Sequence, residues 1–89
     1  MDVINTHSKF YGKIYYVVLT PDRNLEDSVV GAAIKSALKC TDDYVNARME
    51  EVEESGETCI YASNLERCEL VQALLDREGK GLLTELSSD

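Results

Sequence analysis

Lys13-Ile14-Tyr15-Tyr16-Val17-Val18-Leu19-Thr20, stopped by Pro21, is the stretch that decides the fold. β-Branched and aromatic side chains fit a pleated surface, so the run reads as the most buried strand of a sheet. Pro21-Asp22-Arg23-Asn24 then reads as a turn, because proline presets φ and Asp and Asn bond their own backbone. A helix is expected from Leu25 or Glu26 to Leu38. Glu26 and Asp27 fall in its first turn, where the helix dipole favours negative charge. Val30, Ile34 and Leu38, with Val29, Ala33 and Ala37 in the adjacent row, give it a wide apolar face. Gly31 and the alanines allow another element to approach closely.

Working outward, Thr41 caps a second helix that carries Asp42 and Asp43 in its first turn, the stripe Val45, Met49 and Val52, and a stop at Gly56. Glu57 to Ala62 reads as a short second strand. Ser63-Asn64-Leu65-Glu66 has the form of a capping box opening a third helix. Leu65, Cys68, Val71, Leu74 and Leu75 line its buried side, and Gly79 ends it. Leu82 to Leu86 is the last strand. The order is β-α-α-β-α-β. The expected fold is α+β: a two-layer domain with a three-stranded sheet, strand one antiparallel between strands two and three, and three helices on one face. Residues 1–11 read as an arm, 12–87 as one domain and 88–89 as a tail. Tyr15 and Tyr16 should point to opposite sheet faces, with Tyr61 a candidate neighbour of the outward one.

The length of 89 residues suits one core, and 44% hydrophobic and 29% charged residues are ordinary for a globular chain. Seventeen acidic residues against nine basic ones give a net charge of -8. That disfavours nucleic acid and anionic membrane surfaces, both of which require clustered Lys and Arg. It favours partners that are basic or carry an exposed amine. Met1 to Lys9 is polar and lacks the apolar core of a signal peptide, so a cytoplasmic location is expected.

Catalytic signatures are missing. The three cysteines, Cys40, Cys59 and Cys68, form no Cys-x-x-Cys pair, and the one histidine is His7. Neither a zinc site nor a disulfide framework is expected, and the thiols read as small apolar side chains. The five glycines are scattered, so no phosphate loop forms. No enzyme activity, metal or cofactor is expected. The strongest local signal is charge. Residues 42–57 hold seven acids and one base, Arg48, which places a charge of -6 on one segment. Glu50, Glu51, Glu53 and Glu54 are expected to form a partner-facing acidic surface edged by Met49 and Val52. Like charges at i, i+4, such as Glu50 and Glu54, cost roughly 0.2–0.5 kcal/mol, which a sequence tolerates more readily when it uses the field.

Val29-Val30-Gly31-Ala32-Ala33-Ile34-Lys35 with the helix after it, and Val52-Glu53-Glu54-Ser55-Gly56-Glu57-Thr58-Cys59-Ile60 leading to Leu82-Leu83-Thr84-Glu85-Leu86, resemble two related folds. These are the Clp protease adaptor ClpS and the C-terminal domain of the ribosomal stalk protein. The resemblance covers roughly residues 13–87. It implies a protein-binding module with a groove between the loop at Pro21–Leu25 and the second helix. In the adaptors an Asn-Asp-Asp loop and a histidine hold the α-amine of an N-degron. Here the loop reads Thr20-Pro21-Asp22, so only the last acid matches, and the histidine position falls on Glu53. Met49 and Val52 match apolar positions beside the pocket. The amine-holding set is therefore largely altered. Resemblance and charge together give the expected binding residues as Asp22, Asn24, Met49, Val52, Glu50, Glu51, Glu53 and Glu54. The implied partner is a peptide or another protein, such as a Clp-type unfoldase. The alternative is a small acidic regulator or inhibitor seated on a basic surface of a larger machine.

Overall fold

The computed structural model describes residues 13–88. The arm expected over residues 1–11 lies outside the described residues. The chain runs β1 (Tyr15–Pro21), α1 (Asp27–Leu38), α2 (Asp42–Ser55), β2 (Thr58–Ser63), α3 (Leu65–Glu78) and β3 (Leu82–Ser88). The sheet order is β2-β1-β3, with β1 antiparallel to both neighbours, so β2 and β3 run in the same direction. This is the expected α+β arrangement.

β1 reaches one residue further than expected. Pro21 pairs with Leu82 at the end of the central strand. Its missing N–H costs nothing there. Asp22 N donates to Gly81 O at 2.8 Å, so alternation turns the Pro21 nitrogen to the opposite side. That side lies beyond Leu19↔Thr58, the last β1–β2 pair. β3 is also longer than expected. Ser87 and Ser88 pair with Tyr16 and Tyr15, so Ser88 belongs to the sheet and not to a tail.

The core collects Val17 and Leu19 of β1, Val30, Ala33 and Ile34 of α1, Val45 of α2, Ile60 of β2, Cys68, Val71 and Leu75 of α3, and Leu82 of β3. α3 lies across all three strands, α2 against β2, and α1 against the other two helices. Gly31 sits where α1 meets α2. A Cβ there would stand 3.2 Å from Val45 Cγ1. The expected close approach at Gly31 is therefore real, and it is α2 that makes it.

Local signals account for most helix ends. Thr41 Oγ1 accepts from Tyr44 N at 3.2 Å and opens α2, and Gly56 closes it at φ 85°. The third helix starts one residue later than the capping-box reading. Ser63 is the last residue of β2, and Asn64 is the cap, accepting from Arg67 N at 2.9 Å. Two residues expected inside are not. Val29 is 49% exposed and Leu65 39%.

A β-bulge corrects the reading of Tyr61. The register with β1 shifts between Val17 and Val18, so Tyr61 opposes Val17 and Cys59 opposes Val18, with Ile60 the extra residue. Tyr61 thereby packs against the core beside Ile60, as Tyr15 does. The outward-facing Tyr16 is paired with Ala62 instead.

Candidate functional site

A groove of about 580 Å³ opens between the β1–α1 loop and the C-terminal end of α2. One wall is built by Pro21, Asp22, Arg23 and Leu25 of the loop with Asp27 and Val30 of α1. The other is Val52 and Glu53 of the last turns of α2, followed by Ser55, Gly56 and Glu57.

The loop wall is set by its own hydrogen bonds. Asp22 Oδ1 accepts from Asn24 N at 2.9 Å, the Asx-type closure that the Asp-x-Asn spacing favours, and Asp22 O accepts from Leu25 N at 3.1 Å. The turn rests on Gly81 at φ 88°. A Cβ there would lie 3.0 Å from Leu25 Cδ1 and 3.2 Å from Asp22 Cβ. The α2 wall is set from below. Tyr44 Oη donates to Ile60 O at 2.6 Å, and Arg48 Nη1 donates to Cys59 O at 3.1 Å. The Arg48 guanidinium also lies over the Tyr44 ring, 5.1 Å from its centroid. These side chains cap consecutive carbonyls at the bulge and tie α2 along the outer edge of β2. Burial raises the Tyr44 pKa above its ordinary value of 10.0, because a phenolate in that position loses its water.

The structure divides the candidate residues. Asp22, Val52 and Glu53 come together in the groove. Met49 is half-buried in an adjoining hollow that shares Asp27 and Glu53 with the groove. Asn24 contributes its backbone N–H to the loop. Glu50 and Glu54 are exposed on the free side of α2 and line neither space. Glu51 does not belong with them. Its Oε1 accepts from the hydroxyl of Thr58, which is buried, and stands 3.3 Å from Arg48 Nη1. The four glutamates therefore span three environments rather than one surface.

Asp27, Val30 and Glu57 also line the groove, beyond the residues expected from the sequence. Their positions, flanking the loop and just past the Gly56 stop, were the available signal. Asp22 accepts from Asn24 N, and no groove carboxylate takes part in an ion pair among the described residues, where the pairs are Lys35–Asp42 and Arg48–Glu51. No helix among the described residues is long and apolar enough to cross a membrane.

No family model and no curated protein matches the sequence. A solved structure does match in shape. It is that of Agrobacterium tumefaciens ClpS2 bound to L-phenylalaninamide, with a TM-score of 0.75 and 17% sequence identity, over 86% of this chain and 98% of that one. Identity at that level carries architecture and not activity. In architecture, this chain is ClpS-like.

Proposed function

We propose that the chain is a non-enzymatic, cytoplasmic protein-binding module of Clp-adaptor type, with the residues that would hold an N-degron amine largely altered. The observation that carries this reading is the groove between the β1–α1 loop and the end of α2. It combines apolar wall residues, Leu25, Val30 and Val52, with carboxylates that have no ion-pair partner among the described residues. A free peptide end offers the matching pair, an ammonium next to a side chain. The similarity to ClpS2, described as bound to the amino-acid amide L-phenylalaninamide, supports the same kind of occupant here.

Pro21 and Glu53 stand where the resembled adaptors have an acid and a histidine. Peptides beginning with Leu, Phe, Tyr or Trp should therefore bind more weakly than micromolar, the level of about -8 kcal/mol. Fluorescence anisotropy of the full chain with such peptides, free and N-acetylated, is the test. Micromolar or tighter binding that acetylation abolishes would show that the amine-holding set is intact. Binding that survives Glu53→Arg would move the site away from this groove. The other reading, an acidic regulator on a basic surface of a larger machine, is favoured by Glu50 and Glu54, which are exposed and outside every ion pair of the described residues. Complexes of that kind should dissociate steeply with salt, whereas an apolar groove contact should persist.

A further inference from the structure

We propose that the groove selects peptide ends whose first residue is Arg or Lys over ends whose first residue is apolar. This rests on reading the groove as a peptide site and adds to it the chemical class of the first side chain. Both walls are alike in composition. The loop and α1 supply Leu25 and Val30 beside Asp22 and Asp27, and the end of α2 supplies Val52 beside Glu53 and Glu57. Arg23 is the one base among the groove residues, so the lining carries a net charge of -3.

A peptide that begins with Leu or Phe brings one positive charge, its α-amine. Against two acidic walls that leaves carboxylates facing each other across an occupied groove, with less water between them. A peptide that begins with Arg or Lys brings two cations separated by an aliphatic stem. The amine can meet one wall and the side-chain cation the other, while the methylenes lie along Leu25 and Val52, the half-buried apolar residues of the lining. Long basic side chains bury their stems and keep their charged heads near water in this way. The groove is open enough to leave the heads solvated, so desolvation does not cancel the gain.

The experiment is fluorescence anisotropy of the full chain with otherwise identical peptides beginning with Arg, Lys, norleucine or Phe, each free and N-acetylated, at low and high salt. Norleucine keeps a straight apolar stem like that of Lys without the charge. The Arg and Lys peptides should bind about 10-fold or more tighter than the norleucine peptide at low salt, and the advantage should shrink as salt screens it. Acetylation should weaken them, and Asp27→Asn with Glu53→Gln should remove the advantage. Glu50→Gln with Glu54→Gln, outside the groove, should leave it.

Equal affinity for Lys and norleucine peptides overturns the charge selection while leaving the groove a peptide site. Acetylated Arg and Lys peptides that bind as well as free ones overturn end recognition. An advantage that persists in the Asp27→Asn, Glu53→Gln variant, with its fold verified by circular dichroism, places the selection elsewhere. Failure of every peptide to bind removes the peptide reading of the groove along with this proposal.

Discussion

Replacing Gly81 by Ala tests whether the loop that walls the groove is held by packing. Gly81 and Gly56 have almost the same left-handed backbone, at φ 88° and 85°, but different surroundings. A Cβ at Gly56 meets nothing within 4 Å, whereas one at Gly81 meets Leu25 Cδ1 at 3.0 Å and Asp22 Cβ at 3.2 Å. Gly56→Ala therefore isolates the conformational cost, about 1–2 kcal/mol for an L-residue in that region. Gly81→Ala adds overpacking, which typically costs about 1–3 kcal/mol. The total for Gly81→Ala is roughly 2–5 kcal/mol, against a stability of roughly 4–13 kcal/mol for a domain of this length. Each kcal/mol moves the melting temperature of so small a domain by about 4–8 °C, so the two variants should melt well apart. Urea and thermal unfolding followed by circular dichroism give both values. Equal destabilisation by the two substitutions would refute the claim that Leu25 and Asp22 press on Gly81.

Glu51→Ala should destabilise by about 1–3 kcal/mol in urea unfolding, since it removes the acceptor of the buried Thr58 hydroxyl. Glu50→Gln with Glu54→Gln should be neutral or stabilise by roughly 0.2–0.5 kcal/mol, because it removes one i, i+4 repulsion. Leu75→Ala, at a fully buried position of α3, should cost about 2–5 kcal/mol. The folded-state pKa of Tyr44 is raised above its ordinary 10.0, so the protonated phenol is what the fold favours. That contribution is complete below pH 10.0 and is lost as pH rises through the higher folded value. Unfolding free energy should therefore fall above pH 10.0, and Tyr44→Phe should flatten the fall.

The element order was legible because most boundaries have a local cause. Thr41 and Gly56 bracket α2 through bonds made within a few residues, and the β-rich run before Pro21 needs no distant partner to be recognised. What escaped depends on contacts far along the chain. The bulge at Ile60 is a property of how β2 meets β1, and it turns Tyr61 to the core against the simple alternation read from sequence. Capping of α3 shifted by one residue because Ser63 is claimed by the ladder opposite Tyr15, leaving Asn64 to cap. The acidic segment was legible as charge but not as geometry. Tyr44, Arg48 and Glu51 repeat at i, i+4 and i+7, a polar stripe that engages β2 and ties the half-exposed Glu51 to Thr58. Val29 shows the same limit. Its row on α1 is apolar, but the neighbouring helices cover only the flank carrying Val30, Ala33 and Ile34.

The position of β1 at the centre of the sheet has a consequence for the order of assembly. Among the described strands β1 comes first in the chain, its pairing with β2 waits for β2, and its other side waits for β3, whose last residue, Ser88, pairs with its first, Tyr15. During synthesis the most apolar strand is thus the one left longest without both neighbours. Closing so long a loop carries an entropic cost before the ladder rewards it, so docking of β3 should be the late, slow event in folding. Until it happens, the β1 edge that β3 will occupy is open to any extended segment that reaches it first.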